Sequence, residues 1–417
     1  MSSNSPLIEV YCLLSRLLPL VSKLLLQSRL ARGKEDPLRW REKLGRPSVE
    51  RSPGLLIWLH AVGLGEVLAL RGLIRELAHV LPHASFLITS TARSSAQVLA
   101  SNLPPRTTHQ FLPLDAPPYL RSFLDHWRPD LSIWAEQELW PGALMASASR
   151  SIPIALVNAR LSAEGHRRRR RLRGLYRPLL RRFALISAQD HLTAANLYDL
   201  GAPVVRVDGS LKPAAPALHV DPVELRRLKA LLADRRLWLA ASTHPGDEAE
   251  VIAAQQYLSD WLLILVPRDP RRADALALEL AASGLSVARR SRGEFPGPDQ
   301  GVWLADTYGE LGLWYRLTPV AFVGGGFDRI GGHNPWEPAA LGVAVLHGPD
   351  VSNFSADFAM LHAADAARAV DPGGLATALQ QPDLAAVAAR ATDLVRQQQG
   401  RLTPLARDLA ALIQVVP

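Results

Sequence analysis

Cysteine is nearly absent from this 417-residue chain: Cys12 stands alone. That excludes an internal disulfide framework and any multi-cysteine metal site, and it suits a reducing compartment such as the cytoplasm. No carboxylate pair with a histidine stands at metal-ligand spacing, so neither metal nor cofactor is expected. Long apolar runs are missing too. The N-terminal stretch PLIEVYCLLSRLLPLVSKLLLQSRLARGK (6–34) is rich in leucine, but Glu9, Arg16 and Lys23 interrupt it, whereas a spanning helix needs about 20 mostly apolar residues. It also lacks the compact apolar segment and small-residue cleavage site of a signal peptide. With Arg16, Lys23 and Arg29 at its edges, it reads as an interfacial helix lying on an anionic membrane. The alternative is an amphipathic helix packed on its own domain.

What is present describes a folded protein. Hydrophobic residues make up 48% and charged residues 21%, a globular composition. The length implies two domains of roughly 200 residues each. The net charge of +8 (47 basic minus 39 acidic residues) favours anionic partners. Nine arginines and no acid fall within RRRRRLRGLYRPLLRR (167–182). That run reads as a solvated helix face, a nucleic-acid stripe or a lipid-facing surface. No recognisable nucleic-acid module accompanies it, which sets the nucleic-acid reading aside.

Along the chain, short apolar runs alternate with helical patterns. LLIWLHA (55–61) is nearly all apolar, as expected of a strand buried on both faces. Val67, Leu70, Ile74, Leu77 and Leu81 then recur at helical spacing. Further strands are predicted at 85–91, 109–114, 130–135, 152–159 and 184–189. A Pro- and Ala-rich connection (204–222) follows. The alternation resumes at 237–243, 261–268, 285–291, 302–306, 319–326 and 343–348. This pattern predicts an α/β fold of two Rossmann-like domains with a cleft between them, ligands lying beyond the carboxyl ends of the strands.

Those ends deliver small residues mixed with polar ones: HAVGLGE (60–66), TSTARS (89–94), AEQELWP (135–141) and NARLS (158–162), then ASTHPGDE (241–248), VPRDP (266–270), ADTYGELG (305–312) and GGGFDRIGGHNPWEP (324–338). In the last, Asn334–Pro335 reads as a helix start after a glycine-rich loop, a ready phosphate site, with Glu337 placed to accept from ribose hydroxyls. The alternative is a helix cap with an acidic first turn. His60 and His333 read as packing residues.

In their order and spacing these segments resemble one family, the 3-deoxy-D-manno-octulosonic acid (Kdo) transferases of lipid A biosynthesis, over nearly the whole chain. The resemblance implies a GT-B glycosyltransferase fold, CMP-Kdo as donor and a membrane-embedded lipid A precursor as acceptor, at the cytoplasmic face of the bacterial inner membrane. It implies a membrane-associated segment over 1–40, an acceptor-binding domain over 41–212 and a CMP-sugar-binding domain over 213–417. Carried over by position, Glu66 matches the general base, and Glu136 and Lys212 match residues that stabilise the transition state. Pro267, Arg268, Tyr308, Gly309, Glu310, Asn334, Pro335, Trp336 and Glu337 match the CMP-binding segments. The chain departs from the family where Gly63 replaces the usual serine, Tyr308 a methionine and Trp336 a leucine. The two aromatics are expected to enlarge the apolar wall beside the nucleotide. Two other readings stand beside this one: a GT-B transferase using a different nucleotide sugar, and a basic membrane-surface protein without catalysis.

Overall fold

In the computed structural model of the chain, residues 5–414 are described except 94, 95, 97, 98, 100–102 and 138; the side chains of residues 64 and 414 are also outside the description. Ser94 of TSTARS and Glu138 of AEQELWP therefore lie outside the described residues. The chain divides into two compact units, one of residues 1–215 with 398–417, the other of residues 216–397.

The first unit is built on seven parallel strands: β1 (Leu56–His60), β2 (Ser85–Ser90), β3 (Thr107–Phe111), β4 (Leu131–Ala135), β5 (Ile154–Ala159), β6 (Leu185–Ala188) and β7 (Arg206–Val207). They run in the order β3-β2-β1-β4-β5-β6-β7. Every residue of β1, β4 and β5 is buried, as a sheet covered by helices on both faces requires. On one face Val67, Leu70, Ile74 and Leu77 of the helix Leu64–Val80 pack with Ile57 and Leu59. Leu402, Leu405 and Leu409 of the helix Leu402–Gln414 join the same cluster. The second domain expected over 213–417 thus ends earlier, because the last helix buries its apolar stripe against the first sheet.

The second unit repeats the pattern with β8 (Arg236–Thr243), β9 (Trp261–Pro267), β10 (Val287–Arg289), β11 (Val302–Leu304), β12 (Val320–Val323), β13 (Ala344–His347) and β14 (Arg368–Ala369). Their order is β10-β11-β9-β8-β12-β13-β14, again all parallel. Twelve of these fourteen strands coincide with the predicted runs. β7 and β14 have two residues each, too short for a hydrophobic pattern to show.

Before the first sheet come two helices, Pro6–Ser15 and Leu18–Ala31. Ile8 and Leu26 are buried, and Tyr11 donates to the Asp115 carboxylate at 2.5 Å. The opposite side is apolar and exposed: Leu7, Val10, Leu13, Leu14, Leu17, Leu20, Val21, Leu24 and Leu25. Among the described residues no helix is long and apolar enough to cross a membrane.

Candidate active site

In an open parallel sheet, a crevice forms where neighbouring strands send their following helices to opposite faces. In the first unit β1 and β4 are the neighbours at that reversal; Glu136 comes directly after β4, and Glu66 stands in the helix that follows β1. Glu66 lies in the first turn of the helix Leu64–Val80, whose N-cap is Gly63. Its Oε2 accepts the backbone N–H of Val62, the residue before that N-cap, at 3.0 Å. Among the described residues no cation pairs with it. A Cβ on Gly63 would stand 3.2 Å from Oε1, so the glycine keeps space beside that oxygen.

Glu136 stands just past β4 with φ of 58°, a left-handed conformation that costs a non-glycine residue about 1–2 kcal/mol. Asn158, in β5, shares this feature with φ of 53°. Its amide links two chain segments: Nδ2 donates to Glu136 Oε1 at 3.3 Å, and Oδ1 accepts the Leu211 N–H at 3.0 Å. Asn158 is 1% exposed and its bond to Leu211 is buried, away from water, where orientation is enforced more strictly. Leu211 is the residue before Lys212, which opens the 3₁₀ turn Lys212–Ala214. Asn158 therefore ties Glu136 to the backbone that carries Lys212. Sequence reasoning passed over it; its signal was an asparagine, a residue tolerant of left-handed backbone, at a strand end.

Gly72 sets where that turn sits. A Cβ there would lie 2.2 Å from the Ala214 carbonyl oxygen, so the helix bearing Glu66 accepts the Lys212–Ala214 turn only because position 72 has no side chain. Gly72→Ala is expected to displace the turn, cost about 1–3 kcal/mol as overpacking does, and lower the catalytic rate with little change in affinity for the nucleotide. Thermal melting and steady-state kinetics together check this. A variant with wild-type rate and Tm shows that the turn's position is not critical.

In the second unit β8 and β12 are the neighbours at the reversal. Arg268 comes directly after β9, which lies beside β8. Its backbone N–H donates to the Thr243 carbonyl at 2.9 Å and its side chain is exposed. Among the described residues nothing pairs with its guanidinium. Pro267 ahead of it is buried. After β12 the glycine-rich loop is held by Asp247, a fully buried carboxylate. Its Oδ2 accepts the His244 and Gly325 N–H groups at 3.0 and 2.6 Å, and its Oδ1 accepts the Phe327 N–H at 3.1 Å. Gly326 is packed so closely that a Cβ would meet the Gly348 Cα at 2.6 Å. Sequence reasoning quoted Asp247 and His244 within ASTHPGDE without assigning either.

Asn334 folds onto the next turn of the chain: Oδ1 accepts the Trp336 N–H at 3.2 Å and Nδ2 donates to Glu337 Oε1 at 3.2 Å. The helix expected to start here, with buried Pro335 as its N-cap, is one turn long, Trp336–Ala339. A single turn has little macrodipole, so its polar side chains and loop amides outweigh it. Burial raises the Glu337 pKa, opposed by the Asn334 hydrogen bond and the nearby Arg268 charge. Glu337 in turn helps raise that of Tyr315, whose own burial is the larger cause.

Two expected contacts differ. Trp336 is buried, its indole N–H donating to Asp357 Oδ1 at 2.8 Å, among Val323, Ala339 and Phe358. It fills the core and enlarges no apolar wall, whereas Tyr308 is 73% exposed. Glu310 is engaged by Arg290 at 2.6 Å and by the Thr307 hydroxyl; these bonds outweigh partial burial and hold its pKa below the usual range. Arg290 also pairs with Glu224 at 2.8 Å and lies over the Trp303 and Trp314 rings. Glu310 thus anchors the Tyr308–Gly309 loop, where Gly309 takes φ of 88°. His60 is wholly buried against Trp134, with its pKa lowered by desolvation to about 3, in keeping with a packing residue. Among the described residues no group of acidic, histidine and cysteine side chains is placed to hold a metal.

Comparison with known proteins points one way. A family model described as 3-deoxy-D-manno-octulosonic-acid transferase (kdotransferase) matches residues 38–215. A probable mitochondrial 3-deoxy-D-manno-octulosonic acid transferase of Arabidopsis thaliana is 38% identical over 340 residues, 78% of this chain and 76% of that relative. The 3-deoxy-D-manno-octulosonic acid transferase of Rickettsia bellii is 32% identical over 350 residues, 83% of each chain. Among solved structures, a glycosyltransferase from Rickettsia africae matches 88% of this chain and 100% of its own with a TM-score of 0.56. At 11% identity that likeness is one of fold.

Proposed function

The chain belongs to the Kdo transferase family of glycosyltransferases, with the GT-B fold, and we propose that it is an inverting enzyme that moves Kdo from CMP-Kdo to a lipid A precursor at the cytoplasmic face of the inner membrane. The observation that carries the reaction is Glu66. It is oriented through one oxygen by the Val62 amide, without a cation to neutralise it among the described residues. A carboxylate held in this way is a general base in waiting.

In this reading Glu66 takes the proton from the acceptor hydroxyl. The acceptor oxygen bonds to the anomeric carbon as the bond from that carbon to the CMP phosphate breaks. The electron pair leaves on the phosphate oxygen. Glu136 and Lys212, linked through Asn158 and Leu211, stabilise the charge that develops on the sugar and on its carboxylate. On the nucleotide, Arg268 takes the phosphate, and Asn334 and Glu337 face the ribose hydroxyls. Pro267, Pro335 and the backbone of Trp336 shape the segments around them. Tyr308 and Gly309 lie against the base, with Glu310 behind them. No metal or cofactor enters the scheme. The direct test is incubation of the purified chain with CMP-Kdo and a lipid A precursor, with mass measurement of the product. A product heavier by whole Kdo units supports the reading, and an unchanged precursor overturns it.

Membrane contact is part of the same proposal. The nine exposed apolar residues at positions 7–25 are contiguous along two helices, more than an isolated soluble surface usually presents. The arginine-bearing helix Arg173–Leu180 packs beside them, with a Cβ on Gly174 falling 3.2 Å from a Leu7 methyl. Apolar residues rimmed by arginines suit an anionic bilayer surface. Replacing Leu13, Leu17, Leu20 and Leu24 by serine leaves Ile8 and Leu26 in the core. It is expected to reduce sedimentation with anionic vesicles at least about 100-fold in partition constant. Replacing Arg167 to Arg171 by serine is expected to weaken it further. Sedimentation unchanged by both sets would show that this face does not meet the membrane.

A further inference from the structure

The reversal of strand order in the second sheet does more than open space beyond β8 and β12. It brings a histidine from each adjoining loop into one pair. The Nε2 atoms of His244 and His333 are 2.9 Å apart, and the rings stack at 15° with centroids 5.2 Å apart. At that distance one nitrogen carries a hydrogen and the other is bare. His244 is the N-cap of the helix Pro245–Tyr257, and Asp247 Oδ2 accepts its backbone N–H at 3.0 Å. The shared hydrogen of the pair has two arrangements. In the one where His244 donates from Nε2, His333 accepts on Nε2 and as a neutral ring carries its own hydrogen on Nδ1.

His333 is neutral at physiological pH: burial, with Arg268 and His244 nearby, lowers its pKa to about 4. The direction of its free N–H is set by the loop. A Cβ on Gly325 would stand 3.2 Å from His333 Cδ2, so that edge of the ring is closed. Nδ1, across the ring, points away from it. Among the described residues nothing accepts this N–H, and nothing pairs with the neighbouring Arg268 guanidinium.

We propose that His333 is a ligand of the donor's phosphate, giving its Nδ1–H to an anionic oxygen alongside Arg268, and that His244 is a positioning residue that fixes the hydrogen on Nδ1. The inference rests on the reading of the second unit as the nucleotide-binding one and names a group in it that carries specificity. A neutral imidazole adds a directed hydrogen bond without a second positive charge beside Arg268. The His244 partnership keeps the free nitrogen a donor, because the opposite tautomer would turn a lone pair towards the phosphate.

The test is calorimetric titration of the full chain with CMP, cytidine and free Kdo, in wild type, H333F, H333N and R268A. H333F keeps the ring shape and removes the donor, so it is expected to weaken CMP about 10-fold and leave cytidine unchanged. H333N places an amide nitrogen near the position of Nδ1 and is expected to stay within about 3-fold of wild type. H244F is expected to weaken CMP similarly to H333F, and ¹⁵N spectra of its His333 ring should lose the pure Nδ1–H tautomer. Unchanged CMP affinity in H333F overturns the proposal. So does an equal loss for cytidine, or a loss confined to Kdo, which would place the sugar carboxylate there. CMP binding that is weakened in R268A and untouched in H333F removes the role of His333 alone. A wild-type chain that does not bind CMP removes the nucleotide reading itself and this inference with it. Should H333F fail to fold, the wild-type ¹⁵N spectrum decides: an Nδ1–H ring supports the assignment and an Nε2–H ring overturns it.

Discussion

Glu66→Gln is expected to leave CMP-Kdo and acceptor binding in place and to lower turnover by about 10²–10⁴-fold, the range for loss of a general base. The geometry makes the substitution clean. Glu66 Oε2 receives the Val62 N–H, and a glutamine meets that amide with its carbonyl oxygen. Its NH₂ group is then held at the position of Oε1, beside Gly63, where the glycine leaves room for a hydroxyl. A group that can only donate stands where an acceptor is required. Were Glu66 merely a helix-starting carboxylate, the same change would remove its favourable interaction with the helix N-terminus, about 0.3–1 kcal/mol, and turnover would hold. Melting temperature and transfer rate measured together separate the two roles: a small thermal effect with a large kinetic one identifies the base. Wild-type turnover would make the carboxylate structural and move the search to Glu136.

The contrast between Glu66 and Glu310 shows how far such residues are legible in the chain alone. Both stand in glycine-containing segments at strand ends, and both match family positions. A carboxylate's partner is either local, as the Val62 amide is for Glu66 and the Thr307 hydroxyl for Glu310, or comes from elsewhere in the fold, as Arg290 does for Glu310. Local pattern reports the first kind of partner and is blind to the second. The strands were legible because burial on both faces writes itself as consecutive apolar residues. The return of residues 398–417 to the first unit was not, because an amphipathic stripe says that a helix is buried without saying against what. Trp336 illustrates the same limit. A large aromatic beside a binding motif reads as a ligand wall, yet its indole found a core partner in Asp357. Asn158 and Asp247 were hidden for a related reason. Each serves by joining segments distant in sequence, Glu136 with Leu211 in one case and His244 with the glycine loop in the other.

That dependence makes Asp247→Asn the second substitution with a large expected effect. Asp247 is buried and offers only acceptors to three backbone N–H groups, two on Oδ2 and one on Oδ1. Asparagine must set an NH₂ against at least one of them. In its least damaging orientation the amide nitrogen faces Phe327, one hydrogen bond is lost, and two donors are opposed in the core. Loss of a charged hydrogen bond with a donor left unsatisfied costs about 3 kcal/mol. For a unit of this size that lowers Tm by roughly 6–12 °C. The loop does not hold its place without this anchor: Gly325 donates to Asp247 and its carbonyl accepts the Gly332 N–H at 3.0 Å, so a shift at Gly325 is passed to His333 and Asn334. CMP affinity is therefore expected to fall at least about 10-fold at temperatures where the variant remains folded. Calorimetry well below Tm separates this from simple unfolding, since global destabilisation alone leaves the affinity of the folded fraction intact. An Asp247→Asn chain with wild-type Tm and wild-type CMP affinity would mean that the glycine loop is held by its own packing, with the buried carboxylate a passenger.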